Sequence, residues 1–168
     1  MGAALAAVYG RILEGFGFIA GAVIALLALM VSLDVVIRNL GIGNFPWLLE
    51  VAEYGLYVTT FMAAPWVLSL GAHVRVDVLL NIVPKPVGRL LEIVADLIGM
   101  GACGVLFYYG LAATRASYAD GSLIFKDLVV TEWYLLAVMP LSAVLLIVEF
   151  LRRLRRGAAG ETPVTEGF

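Results

Sequence analysis

The chain is poor in the side chains that do chemistry. Among its 168 residues there is one histidine and one cysteine, and only 14% of positions are charged. A lone Cys103 excludes an internal disulfide, and one histidine without a cysteine cluster leaves no ligand set for zinc or haem. The 11 basic and 13 acidic residues leave a net charge of −2, too little positive field for a nucleic-acid partner. So few charges also argue against an ordinary soluble domain, where about a quarter of residues are charged.

What the chain has in abundance is apolar side chains. They make up 62% of it, and the mean hydropathy is +1.01. A water-soluble fold of this size could not hide that much apolar surface, whereas lipid tails accept it. The class is therefore an integral membrane protein. Residues 15–33, 54–72 and 97–114 carry no charge, and 133–148 extends back through 128–131 with only Glu132 between. Each run approaches the roughly 20 residues that cross the hydrocarbon layer as a helix, and backbone groups left unpaired in lipid forbid irregular crossings.

The expected fold is all-α, with four transmembrane helices at about 14–38, 48–71, 89–113 and 128–151. They form a single domain over 1–156, followed by a flexible cytoplasmic tail, 157–168. The first apolar run exceeds the 7–15 residues of a signal-peptide core, so it reads as an uncleaved span. Eight basic residues (Arg11, Arg75, Lys85, Arg89, Arg152, Arg153, Arg155, Arg156) fall on one side of these spans and three (Arg38, Arg115, Lys126) on the other. The bias predicts both termini in the cytoplasm. Of the two outer loops, 41–46 is a short turn of helix breakers leading to Trp47, at aromatic-belt depth. The longer 118–127 has room for a short surface helix.

The glycines invite a wrong reading. GMGACG (99–104) matches the dinucleotide fingerprint to the letter, but it lies inside an apolar helix without the preceding strand that fingerprint needs. Close helix–helix approach is the better explanation, as it is for Gly17 and Gly21. Pro65 and Pro140 are expected to kink their spans, and Cys103 to act as a small packing residue.

Ionisable residues within spans are a functional signal by default. Asp34 and Arg38 stand four apart and can pair on one face, with Glu50 and Glu53 opening the next span within reach of Arg38. Cation binding is one reading of this group, and a structural ion pair between helices is the favoured one because water is close at span ends. Asp96 lies a turn deeper than Glu92 and is the best candidate for a buried polar anchor. Glu149 sits at i,i+3 and i,i+4 from Arg152 and Arg153. The stretch LGAHVRVDVLL (70–80) puts His73 and Asp77 on one helical face and Arg75 on the other. No nucleophile context or metal set accompanies it, so an amphipathic segment at the membrane surface accounts for these residues better than a catalytic site.

Taken in order, these features resemble the DctQ-type small membrane subunit of tripartite ATP-independent periplasmic (TRAP) transporters. The resemblance rests on Arg38 ending the first span, then Trp47 and Glu50 opening the second. Phe61-Met62-Ala63-Ala64 follow mid-span, then His73-Val74-Arg75-Val76-Asp77 with Pro84 beyond, and Trp133 and Pro140 in the last span. The chain departs from the family in having Ala63 at a frequent glycine position and Leu68-Ser69-Leu70 where basic residues are common. The resemblance covers roughly 14–151 and implies a non-enzymatic accessory subunit of the bacterial inner membrane. It implies a large DctM-type membrane subunit as partner, which carries the sodium and substrate sites and moves elevator-fashion. It also implies a periplasmic binding protein that delivers a small organic acid. No cofactor is expected on this chain, and membrane lipid is the remaining partner. The alternatives are a self-sufficient homo-oligomeric transporter or channel built on the intramembrane carboxylates, and a membrane enzyme built on His73.

As part of a segment that fastens the chain at the membrane surface, His73 is expected to be structural, so His73→Ala lowers assembly or stability of the complex, measured by co-purification and thermal melting. An intact complex that no longer transports would instead give His73 a direct mechanistic role.

Overall fold

The structure, a computed structural model, describes residues 3–70 and 85–158. These hold four helices, α1 (Ala3–Asn39), α2 (Pro46–Ser69), α3 (Lys85–Asp120) and α4 (Glu132–Ala158), and a small hairpin of β1 (Leu123–Phe125) and β2 (Val129–Thr131). Within them, Val8–Asn39, Leu90–Asp120 and Glu132–Arg155 are long and apolar enough to cross a membrane. At 24 residues, α2 also has the length, about 36 Å. Its apolar run is diluted by Glu50, Glu53, Tyr54, Tyr57, Thr59 and Thr60.

The helices outrun the expected spans. α1 begins at Ala3 rather than near 14, and α3 continues to Asp120 rather than stopping near 113. A span is limited by hydrocarbon thickness, but a helix is not, and it continues into water until a residue stops it. Glycines provide two of those stops. Gly41 has φ +70° and Gly121 φ +62°, left-handed conformations that a Cβ disfavours. After each, the next amide reaches back five residues, Ile42 N–H to the Ile37 carbonyl at 3.2 Å and Ser122 N–H to the Ser117 carbonyl at 3.1 Å. This is the Schellman closure, which satisfies a carbonyl left over at the helix end.

One expectation is corrected at the other end of that loop. Residues 128–131 were expected to begin the fourth helix, and 118–127 to have room for a surface helix. Instead the chain makes an antiparallel hairpin, pairing Leu123 with Thr131, Ile124 with Val130 and Phe125 with Val129. The run Val129-Val130-Thr131 is wholly β-branched, and the stiffness of such side chains at χ1 favours an extended backbone.

Packing runs in the order α1, α2, α4, α3, so α1 and α3 are the outer members. Leu68 of α2, Cys103 of α3 and Phe150 of α4 form a buried cluster with Met100, Leu146 and Ile147 around it. Across α2 and α4, the Ser142 hydroxyl donates to the Phe61 carbonyl at 2.6 Å. Both in-helix prolines are buried, and Pro140 lies against Gly110 of α3.

The glycines sort into two kinds. Gly17 meets the indole of Trp66 so closely that a methyl group has no room, and Gly99 meets the ring of Phe150, while Gly21, Gly101 and Gly104 have nothing near the position of a Cβ. Gly17→Ala is therefore expected to weaken the α1–α2 contact by about 1–3 kcal/mol through overpacking. Gly21→Ala, unopposed, should be neutral or stabilising by up to about 1 kcal/mol from helix propensity. Thermal unfolding of the two variants in detergent checks the contrast, and equal melting would contradict it.

Candidate functional site

Polar side chains gather at the two ends of the helix row. At the hairpin end the organising group is Glu50, 8% exposed and one turn into α2. Its Oε1 accepts the Asp127 N–H and its Oε2 the Leu128 N–H, both at 2.8 Å. Those amides belong to the Lys126-Asp127-Leu128 loop of the hairpin, where the strand ladder has ended. One carboxylate thus takes two amide donors that a loop near an apolar layer would otherwise leave unpaired.

A turn further along α2, Glu53 pairs with Lys126 at 2.8 Å. Donating a hydrogen bond to Glu53 holds the Lys126 ammonium above its ordinary pKa of 10.5. That preference is present at neutral pH and is lost as the pH climbs through the raised value. The tether is thus insensitive to pH over the neutral range. The Lys126 ammonium also stands 5.6 Å above the Tyr54 ring. At the hairpin's base, Ser117 donates to Glu132 Oε2 at 2.9 Å and the Glu132 N–H donates to the Ser122 carbonyl at 3.1 Å. Trp133 meets Tyr118 edge-on at 5.5 Å and lies tilted over Tyr134 at 4.0 Å between ring centroids.

The turn between α1 and α2 closes the other side. Asp34 Oδ1 accepts the Phe45 N–H at 3.1 Å, and Phe45 meets Trp47 edge-on. Pro46 begins α2 where its missing N–H costs nothing. Between this turn and the hairpin lies an open cleft of about 570 Å³, lined on its polar side by Asp34, Arg38, Asn44, Glu50, Glu53 and Lys126.

At the opposite end, Asp96 of α3, 7% exposed, faces Arg153 of α4 at 3.3 Å. Glu149, 1% exposed, pairs with Arg152 at 3.0 Å. The Arg152 guanidinium lies 4.7 Å over the ring of Tyr9, whose hydroxyl donates to the Leu145 carbonyl at 3.0 Å. These contacts join α1, α3 and α4. Buried charges of this kind are tolerable because each has an opposite charge against it.

The expected residues are thus brought together differently from their spacing alone. Asp34 is engaged by a backbone amide rather than by Arg38, which makes no ion pair among the described residues. Glu50 and Glu53 turn to the hairpin rather than to Arg38. Arg153 reaches across to Asp96 of α3. His73, Arg75 and Asp77 lie outside the described residues. Among the described residues no three acidic, histidine or cysteine side chains converge as a metal site would require.

The order of these features along the chain agrees with a family comparison. Residues 27–160 match the model of the DctQ component of tripartite ATP-independent periplasmic transporters. The chain belongs to the DctQ family. No curated protein matches it significantly. As a DctQ component it is part of a transporter, and both polar clusters fall within the matched residues except for Tyr9. Sequence reading missed Tyr9, Ser117, Glu132 and Ser142. Only Glu132 had a local signal, an acidic residue in the first turn of a helix.

Removing the Glu50 carboxylate should release the hairpin. Glu50→Gln keeps one acceptor oxygen and puts an amide donor opposite a backbone donor, so a loss of about 1.5–3 kcal/mol is expected. Hydrogen exchange at Asp127 and Leu128 should rise in that variant while exchange within α3 and α4 stays as in the parent chain. Unchanged exchange at the two amides would refute the assignment.

Proposed function

We propose that the chain is the static small permease subunit of a TRAP transporter, bracing a large elevator-type subunit that carries out sodium-coupled uptake of a small organic acid. The observation that carries this reading is how the polar groups are used. Glu50, Glu53 and Asp96 each hold one element to another, at both ends of the helix row, while Glu149 braces Arg152 within α4. A brace needs such fastening, because a scaffold that yields cannot give a moving neighbour a fixed surface. An ion carrier needs the reverse, a carboxylate free to bind and release its ion. Family membership supports a large membrane subunit and a periplasmic binding protein as partners, and in this reading sodium binds the large subunit and this chain carries no cofactor.

In this reading both termini are cytoplasmic in the bacterial inner membrane, supported by the eight-to-three distribution of basic residues. The hairpin and the 41–47 turn then face the periplasm, beside the incoming binding protein. His73, Arg75 and Asp77 belong to a segment fastened at the cytoplasmic membrane surface.

The test is reconstitution of the chain, the large subunit and the binding protein in liposomes, separately and together. Uptake should need all three, and mild detergent should extract this chain with the large subunit. Uptake by this chain alone would overturn the proposal. Charge reversal at Asp120, Lys126 and Asp127 should weaken stimulation by the binding protein, and full stimulation would remove the hairpin from that contact.

A further inference from the structure

The cleft beside the hairpin holds charge that the fold does not use. It lies between Asp34 and Arg38 of α1 and Glu50 and Glu53 of α2, with Lys126 and Asp127 on the hairpin side. Glu50 gives both oxygens to loop amides, Glu53 gives Oε2 to Lys126, and Asp34 gives Oδ1 to the Phe45 N–H. What remains is one cation, the Arg38 guanidinium, and a set of acceptors: Asp34 Oδ2, Glu53 Oε1 and the Asp127 carboxylate. None of these has a partner among the described residues. Opposite charges therefore border one cleft without closing on each other. Four carboxylates against two cations leave it a net charge of −2.

A ligand that completes this set carries both signs. The guanidinium fork takes the oxygens of a phosphate-type anion, and the carboxylates take the N–H groups of a primary ammonium. A ligand with only negative charge is opposed by the surplus of carboxylates. A quaternary ammonium has no N–H to donate to them.

The surroundings select a lipid over a soluble molecule. Arg38 stands one residue before the end of α1, whose Val8–Asn39 segment is long and apolar enough to span, so the cleft opens where head groups lie. At its edge Val35 and Leu49 are exposed, the latter by 72%, which carries the cleft into the hydrocarbon-facing exterior. An apolar slot of about 150 Å³ adjoins it, formed by Met30, Leu33 and Ile37 of α1 and Trp47 of α2, with Asp34 and Phe45 common to both. Such a slot suits an acyl chain and offers a small polar solute nothing.

We propose that this cleft binds the head group of an aminophospholipid, its phosphate on Arg38 and its ammonium on Glu53 and Asp127, with an acyl chain entering the adjoining slot. A lipid seated this way bridges α1 to the hairpin.

Native mass spectrometry of the full-length chain, purified in detergent and depleted of lipid, tests the assignment. Offered equal amounts of phosphatidylethanolamine, phosphatidylglycerol and phosphatidylcholine, the chain should retain the first over each of the others by roughly three- to tenfold. Arg38→Gln should abolish that preference, and Asp127→Asn should remove the advantage over phosphatidylcholine. Arg155→Gln, at the opposite end of the helix row, should keep both. Soluble phosphoethanolamine at millimolar concentration should fail to displace the lipid. Without lipid, Arg38→Gln should melt as the parent does, because its guanidinium makes no bond within the described residues. Equal retention of the three lipids, a lead for phosphatidylglycerol, or an unchanged preference in Arg38→Gln would each overturn the site. Displacement by soluble phosphoethanolamine would overturn the lipid as its occupant, and a lower melting temperature for lipid-free Arg38→Gln would return that guanidinium to the fold.

Discussion

Hydrocarbon offers no hydrogen-bond partner, and that constraint organises this molecule. A polar group within or beside the apolar layer costs several kcal/mol when left alone, so each must be matched by another group of the chain or held where water reaches it. Glu50 meets the constraint most completely. Its two oxygens receive two loop amides, so one side chain satisfies itself and the hairpin at once. The hairpin then fixes where α4 starts, through Ser122 and Ser117 on Glu132. At the far end Asp96 and Glu149 meet the same demand with arginines from the last turns of α4. Each outer helix is joined to α4 there, α3 by Asp96 and α1 by Tyr9.

Between these ends the helices are held by shape rather than polarity. Bulky rings against bare backbone, Trp66 on Gly17 and Phe150 on Gly99, draw neighbours close where no hydrophobic drive separates protein from lipid. The hydrogen bond from the Ser142 hydroxyl to the Phe61 carbonyl adds direction to a contact that dispersion makes tight. In a row of helices built this way, each packed pair is held by its own contacts, and only α2 and α4 are packed on two sides.

The helices were legible in the sequence because charge interrupts apolar runs only where a chain meets water. Their ends were less so. The apolar run of α3 closes before Arg115, yet the helix continues to Asp120, since Arg115, Ala116 and Ala119 are compatible with helix in water. The hairpin was not legible because three-residue strands are too short to show alternation, and Val129-Val130 reads equally as the start of an apolar helix. The importance of Glu50 was visible, but its partners were not. Backbone amides leave no mark on sequence, so spacing pointed to Arg38 when the carboxylate was bound to the main chain of a loop 77 residues away.

The same limit explains why the glycines of 99–104 were read as one packing motif when the fold divides them. Spacing shows that Gly99, Gly101 and Gly104 can lie on helix surfaces, but not which neighbour each faces. Once α4 is in place, Gly99 is filled by Phe150 from within the chain, while Gly101 and Gly104 meet none of the described helices. A bare backbone facing outward loses helix propensity without gaining any contact in the isolated subunit. Gly21 on α1 stands open in the same way, so glycine spacing alone could not have sorted the filled positions from the open ones.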